Sequence, residues 1–339
     1  MLKLEKNKNL APYTTLKIGS TAEFFAVIKS LEDLQEAIVW ARNNKKTIWI
    51  LGGGSNVLIT APFKGLVLKN EIKGLELVKK TADYVLVEGK SGEIWTKFVN
   101  FTIKHNLYGL ENLFLIYGTV GAAPVQNIGA YGVELKDVFY HLKAIDLKTG
   151  HEKIFSARDC DFSYRNSIFK KKLKGQYFIY SLTVKLKRQA EFKLDYGSIR
   201  EELAGKNIIN PNLRDVVKVI EYIRNSKLPN PTVFPNAGSF FKNLEISPVK
   251  FKQILKKYPN IPNFKTDSNK IKIPAGWLIE QVGFKGKRLG PVGMHDQQAL
   301  VLINYNQASA RQVLNFTKKL KAAVKKKFGI NLEEELNIL

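Results

Sequence analysis

Residues 118–132 read Gly-Thr-Val-Gly-Ala-Ala-Pro-Val-Gln-Asn-Ile-Gly-Ala-Tyr-Gly, four glycines and three alanines among fifteen residues. Side chains this small fill no ordinary core, and the stretch is too apolar for a linker, so backbone there must pack closely against something flat or phosphorylated. A second run, Gly52-Gly53-Gly54-Ser55-Asn56, follows Thr47–Leu51, which reads as a short buried strand. With no Cβ in the way, consecutive backbone N–H groups converge on an anion. The run is neither a Walker A loop, which needs Gly-Lys-Ser/Thr, nor a Gly-x-Gly-x-x-Gly fingerprint opening a helix. Alone it reads as a structural turn. Two such loops in one α+β region point to a dinucleotide whose pyrophosphate lies on backbone donors.

The chain of 339 residues, 45% apolar, is long enough for two or three domains. No apolar stretch approaches the roughly 20 residues of a bilayer crossing. The first residues, Met1 to Asn7, carry charge where a signal peptide has an apolar core, so a cytoplasmic protein without a membrane partner is expected. Cys160 is the only cysteine, and His105, His141, His151 and His295 are scattered, which predicts neither a disulfide nor a metal site. A net charge of +24 suggests nucleic acid or acidic lipid. Against that, only 9 of the 54 basic residues are arginine, the usual reader of bases and phosphates. Lys318, Lys319, Lys321 and Lys325 to Lys327 fall on a helical face, so the expectation is a lysine-rich surface and no nucleic-acid partner. A small, strongly anionic substrate is compatible with it.

Ser30 to Asp33 reads as a capping-box start, and Leu31, Leu34, Ile38 and Ala41 predict a helix to about Asn44. Strands are expected at 47–51, 66–69 and 84–88, and a helix from Ser91 to about Asn106 with Ile94, Trp95, Phe98, Val99 and Ile103 inward. From 139 to 186 the pattern is mostly β, with candidate strands at 140–147, 152–155 and 176–186. Val216, Val217, Ile220 and Ile223 mark another helix. Two prolines make 227–231 the best linker. Beyond it the sequence predicts a helix near 248–258, a polar loop at 259–272, a strand at 299–303 and a helix from Ser309 to about Phe328.

Several segments resemble the UDP-N-acetylenolpyruvoylglucosamine reductases of peptidoglycan synthesis, the MurB family, in order and over almost the full chain. They are 15–19 (TLKIG), 51–58 (LGGGSNVL), 109–135 (GLENLFLIYGTVGAAPVQNIGAYGVEL), 162–167 (FSYRNS), 236–243 (NAGSFFKN), 275–279 (AGWLI), 297–304 (QQALVLIN) and 332–336 (LEEEL). Tyr196-Gly197 and its surroundings look like the longer of the family's two subtypes. The resemblance implies an α+β fold: an FAD-binding fold of the vanillyl-alcohol-oxidase (PCMH) type in two subdomains, 1–75 with the tail 329–339 and 76–226, plus an α+β substrate-binding domain, 227–328. It implies FAD as cofactor and NADPH as hydride donor. The substrate would be UDP-N-acetylglucosamine enolpyruvate and the product UDP-N-acetylmuramate.

Hydride addition to the enol ether puts negative charge on the neighbouring carbon and its carboxylate, so a cation and a proton donor are needed. The resemblance assigns these roles to Arg165 and Ser239, with Glu335 as the third catalytic residue. If 332–336 is a strand, Glu333 and Glu335 share one face and Glu334 takes the other. Lys227, Asn243 or a water is the candidate partner that would activate Ser239. Phe240 and Phe241 are expected to exclude water beside it. Cofactor contacts are expected from Gly52, Gly53, Gly54, Ser55, Asn56, Gly118, Thr119, Gly121, Ala122, Asn127, Gly129, Ala130 and Gly132. Substrate contacts are expected from Tyr164, Tyr196, Lys227, Asn243 and Gln298.

Three positions depart from the family pattern. Tyr117 stands where proline is usual and is expected to loosen FAD binding. Thr14 replaces a common asparagine, and Phe264 a frequent tyrosine, removing a hydroxyl. Two other readings compete: a flavin-dependent oxidoreductase of the same fold with another substrate, and a basic nucleic-acid-binding protein. Cys160 reads as buried filler. A monomer is favoured, though the sequence does not settle oligomeric state.

Overall fold

The computed structural model describes residues 2–265 and 269–339. The chain forms two compact units. The first comprises the segment ending at Lys8, Thr21–Gly53 and Pro62–Ser226; the second comprises Asn9–Ser20, Gly54–Ala61 and Lys227–Leu339. The boundary at Ser226/Lys227 falls where the proline-rich linker begins.

In the first unit, one four-stranded sheet runs in the order Glu5–Asn9, Thr21–Ile28, Phe63–Asn70, Thr47–Leu51. Phe63–Asn70 pairs in parallel with Thr21–Ile28 and with Thr47–Leu51, and its centre is buried throughout, as a strand covered on both faces must be. The helix Leu31–Asn43 packs Leu34, Ala37, Ile38 and Ala41 with Ala26, Ile28, Leu66 and Leu68. Its start forms one half of the expected box: Ser30 Oγ accepts the N–H of Asp33 at 3.2 Å, satisfying a donor the helix leaves open, while the Asp33 carboxylate accepts from the N–H of Lys29 at 2.8 Å rather than from Ser30.

The second sheet is antiparallel, ordered Glu152–Ser156, Phe139–Asp146, Tyr177–Lys187, Tyr84–Lys90, Leu75–Lys80. The helices Trp95–Lys104 and Leu213–Lys227 contribute to its core through Trp95, Phe98, Val99, Val216, Ile220 and Ile223. The first of these helices starts at Trp95 rather than Ser91. Ser91 is fully buried and accepts from Asn70 Nδ2 at 2.8 Å, so 91–93 form a turn. Ile94 is left 43% exposed, and Thr102 takes the inward place given to it.

The second unit has its own core. A four-stranded sheet runs Asn236–Ser239, Val301–Asn304, Val292–Met294, Arg288–Leu289, and a three-stranded sheet runs Leu244–Ile246, Ile271–Ile273, Phe264–Lys265. The expected polar loop at 259–272 therefore carries two strand segments, although 266–268 lie outside the described residues. The helix Ala310–Phe328 buries Val313, Phe316, Leu320, Val324 and Phe328. It is closed by a Ser309/Gln312 capping box and by Gly329 at φ 65°, and Lys325 to Lys327 complement the dipole of its last turn. The tail strand Asn337–Ile338 pairs in parallel with Val57–Leu58, inside the 1–75 segment the resemblance joins it to, but both strands belong to the second unit.

Candidate functional site

In the first unit the two glycine runs meet. A Cβ on Gly52 would lie 2.7 Å from Thr119 Oγ1, and one on Gly53 would lie 3.1 Å from Gly118 Cα. Gly121 is equally constrained: its Cβ would sit 2.5 Å from Ser91 Cβ. Close backbone approach thus explains the small residues, but the runs differ in what they offer a ligand. Val120, Gly121 and Ala122 spend their N–H groups on Glu93, Ser91 and Thr119 carbonyls, at 2.9, 2.9 and 3.0 Å. Among the described residues, no acceptor takes the N–H of Gly52 or Gly53. The first run presents donors, and this stretch of the second is steric scaffold.

Asn127 is likewise committed. It is fully buried at φ 45°, donates from Nδ2 to Glu134 at 2.9 Å and to the Ser163 carbonyl at 3.2 Å, and accepts the N–H of Lys136 at 3.0 Å. Its side chain organises the loop that carries Gly129, Ala130 and Gly132. Leu115, Asn127, Tyr131 and Arg165 are all non-glycine residues in the left-handed region, each costing about 1–3 kcal/mol, which the surrounding contacts must outweigh.

Arg165 occupies the tip of a tight turn in which Ser163 and Asn166 exchange backbone hydrogen bonds at 3.1 and 3.0 Å. Its φ is 52°, its Nη2 donates to the Gly129 carbonyl at 2.5 Å, and its guanidinium carbon lies 5.3 Å from the Tyr164 ring centroid. Four residues of the motif FSYRNS are thereby explained: Ser163 and Asn166 close the turn, and the Tyr164 ring supports Arg165. Tyr196, 47% exposed, packs on Gly132, where a Cβ would meet its Cβ at 3.2 Å. Tyr164, Arg165 and Tyr196 are all reached by solvent.

In the second unit, the strand Asn236–Ser239 pairs with Val301–Asn304 with a register shift between Asn236 and Ser239. Gly238 sits in that irregularity at φ 69°, and its N–H donates to Asn236 Oδ1 at 2.9 Å. Asn236 is further anchored by Thr15, whose Oγ1 donates to its carbonyl at 2.6 Å. The tail runs antiparallel beside the next residues: Glu335 N–H donates to the Phe240 carbonyl at 2.9 Å and Lys242 N–H to the Glu333 carbonyl at 3.1 Å. Ser239 and Glu335, almost a hundred positions apart, therefore stand on adjoining backbone. Residues 332–336 make one isolated bridge, Phe241 with Glu334, rather than a regular strand. Glu333 is ion-paired with Lys242, and Glu334 with Lys321 at 2.8 Å. Phe240 and Phe241, which follow Ser239, both bury their rings in the core, at 1% and 0% exposure.

Asn243 Oδ1 accepts the N–H of Ala275 at 3.0 Å, capping the helix Ala275–Gln281. Gln298 Oε1 accepts from Leu300 at 3.4 Å and lies over Gly276. Lys227 ends the helix Leu213–Lys227 and is exposed. Gly54, Ser55 and Asn56 belong to this unit: the Gly54 carbonyl accepts the N–H of Thr15 at 3.0 Å, and the Asn56 carbonyl accepts that of Asn337 at 3.0 Å. Thr14 holds its own turn by donating to Ala11 and Ile18 carbonyls, while Tyr117 and Phe264 are about half exposed. Cys160 is buried, and desolvation pushes its thiol up to about 12. Among the described residues no group of three His, Cys, Asp or Glu side chains could hold a metal ion, and no helix is long and apolar enough to cross a membrane. The sequence reading passed over Arg224, whose guanidinium reaches the Leu115 carbonyl at 3.2 Å; its signal was the rarity of arginine in so lysine-rich a chain.

Residues 22–156 match the family model of an FAD binding domain, and residues 230–339 match that of the UDP-N-acetylenolpyruvoylglucosamine reductase C-terminal domain. Similar proteins include the UDP-N-acetylenolpyruvoylglucosamine reductases of Flavobacterium johnsoniae, 44% identical over 100% of both chains, and of Pseudomonas aeruginosa, 42% identical over 99% of both. That of Bdellovibrio bacteriovorus is 41% identical over 98% of this chain and 99% of its own. The crystal structure of UDP-N-acetylenolpyruvylglucosamine reductase (MurB) from Thermus caldophilus superposes with a TM-score of 0.70 at 21% identity, covering 100% of this chain and 99% of that one. That likeness shows the fold, which is the α+β FAD-binding type the sequence implied with an α+β C-terminal domain. On identity and coverage together, the chain belongs to the UDP-N-acetylenolpyruvoylglucosamine reductase (MurB) family.

Proposed function

We propose that this chain reduces the enolpyruvyl group of UDP-N-acetylglucosamine enolpyruvate to UDP-N-acetylmuramate with NADPH, through FAD. The fit to FAD rests on the Cβ-free approach of Gly52 and Gly53 to Gly118 and Thr119, with two N–H donors left over in the first run. Bound there, FAD supplies the hydride that NADPH provides. The chain's own residues do the rest.

Arg165 grips the substrate carboxylate with its fixed, permanently charged fork and stabilises the enolate as charge develops. The Gly129 carbonyl and the Tyr164 ring hold that fork in place. One hydride and one proton complete the reduction, and Ser239 gives the proton to the carbon beside the carboxylate, recovering it from its surroundings. Glu335 serves the same proton transfer. Lysines neutralise Glu333 and Glu334, while the backbone register brings Glu335 next to the Ser239 strand. That register is the observation that carries the reading.

Incubation with NADPH and UDP-N-acetylglucosamine enolpyruvate, followed by mass spectrometry, tests it. The sugar nucleotide is expected to gain two hydrogens, one of them deuterium when the donor is labelled at the transferred position. NADPH consumed with the sugar nucleotide unchanged would leave a flavoprotein with another acceptor.

A further inference from the structure

Lysine outnumbers arginine 45 to 9 in this chain, so a retained arginine marks a place where a planar, forked cation does what lysine does not. Arg224 lies in the last turn of the helix Leu213–Lys227. Its Nη2 donates to the Leu115 carbonyl at 3.2 Å, and the Tyr131 and Tyr117 hydroxyls lie close enough to act on its guanidinium. Among the described residues no carboxylate acts on the guanidinium. Its Nε is sealed from solvent without a hydrogen-bond partner. Burial holds its pKa below the ordinary value, yet part of the residue is reached by solvent. The enclosed guanidinium carries a charge that no described carboxylate compensates, which is costly unless an anion completes it.

These three groups belong to one segment. Leu115 and Tyr117 lead into Gly118, and Tyr131 precedes Gly132. Leu115 and Tyr131 are held left-handed at φ 57° and 49°, so their place around the guanidinium is imposed against a local cost. We propose that Arg224 is a diphosphate-binding residue of this segment, gripping phosphate oxygens through parallel N–H donors. Three molecules of the proposed reaction carry a diphosphate, FAD, NADPH and the UDP-sugar; the flavin and the UDP-sugar are the two ligands this arginine is assigned between, and the flavin source rests on the FAD reading above.

Arg224→Met and Arg224→Lys, as full-length chains, are titrated with FAD after flavin removal and, separately, with UDP. A loss of at least tenfold in FAD affinity in Arg224→Met, with UDP affinity unchanged, assigns the arginine to the flavin diphosphate. The reverse pattern assigns it to the sugar nucleotide. Arg224→Lys is expected to recover only part of the loss, because an ammonium lacks the fork. Affinities for both ligands within twofold of the unaltered chain overturn the proposal. Arg224→Lys, which keeps the charge, gives that reading even where Arg224→Met does not fold. Failure of the unaltered chain to take up FAD overturns the flavin reading instead, and the UDP titration then decides the role of Arg224 alone.

Discussion

Glu335 donates its backbone N–H to the carbonyl of Phe240 at 2.9 Å, which places the C-terminal tail beside the strand that ends in Ser239. If the two side chains serve one proton transfer, removing either should slow the same half of the reaction. Ser239→Ala and Glu335→Gln are each expected to slow acceptor reduction by about 100- to 10,000-fold, the usual worth of a positioned acid or base. NADPH oxidation by the flavin-loaded protein should stay within about twofold. Stopped-flow absorbance resolves the halves, and equal loss in both would sink the assignment.

Arg165 is held by a carbonyl and an aromatic ring, which suits a group that must present its fork in one orientation. Arg165→Met should lower kcat/KM for the UDP-sugar by about 100-fold or more, comparable to removing an oxyanion donor. Arg165→Lys should recover little of it, since a point charge does not replace a bidentate grip. Steady-state kinetics with each variant decides; near-complete rescue by lysine would show that charge alone suffices.

A Cβ on Gly53 has only 3.1 Å to backbone at Gly118, and backbone does not yield as a side chain does. Gly53→Ala is therefore expected to push the two runs apart, costing about 1–3 kcal/mol and reducing flavin retention. Thermal melting with and without added FAD measures both effects. An alanine variant with full flavin content and an unchanged melting temperature would contradict the close packing.

Cys160 gives a pH prediction. Desolvation raises its thiol from 9.0 to about 12, so the folded protein keeps the proton after the unfolded chain has lost it. Its contribution to stability is complete below the unfolded value and is lost as pH rises toward 12. Denaturant unfolding at pH 8 and at pH 10.5 should show a smaller alkaline loss for Cys160→Ala than for the unaltered chain. An identical loss would mean that the thiol ionises freely in the native state. Consistent with its burial, a thiol reagent should reach it only after unfolding.

What the sequence made legible was mostly local. The helices Leu31–Asn43 and Ala310–Phe328 announce themselves through Ser30 and Ser309 caps and apolar spacing, signals that need no distant partner. The glycine runs announced close packing, but not which of them keeps its donors, because Ser91 and Glu93 lie well outside the motif whose N–H groups they accept. The same limit hid the turn at 91–93, which exists because Asn70 reaches Ser91. Thr15 bonds to Asn236 across 221 positions, and such a contact has no local signature, so the assembly of the second unit from three chain segments was not readable. The catalytic assignments came from resemblance. What the structure adds to them is the register that puts Glu335 beside the Ser239 strand and the turn that holds Arg165.

The central claim is that this chain carries electrons from NADPH to an enolpyruvyl UDP-sugar on a bound flavin. The most direct measurement is the visible spectrum of the purified protein, kept anaerobic, before NADPH, after NADPH, and after UDP-N-acetylglucosamine enolpyruvate. Flavin absorbance that bleaches with NADPH and returns only with the UDP-sugar is the predicted result. Absorbance that bleaches and stays bleached would contradict the acceptor, and a protein that takes up no flavin even after reconstitution with FAD would contradict the account as a whole.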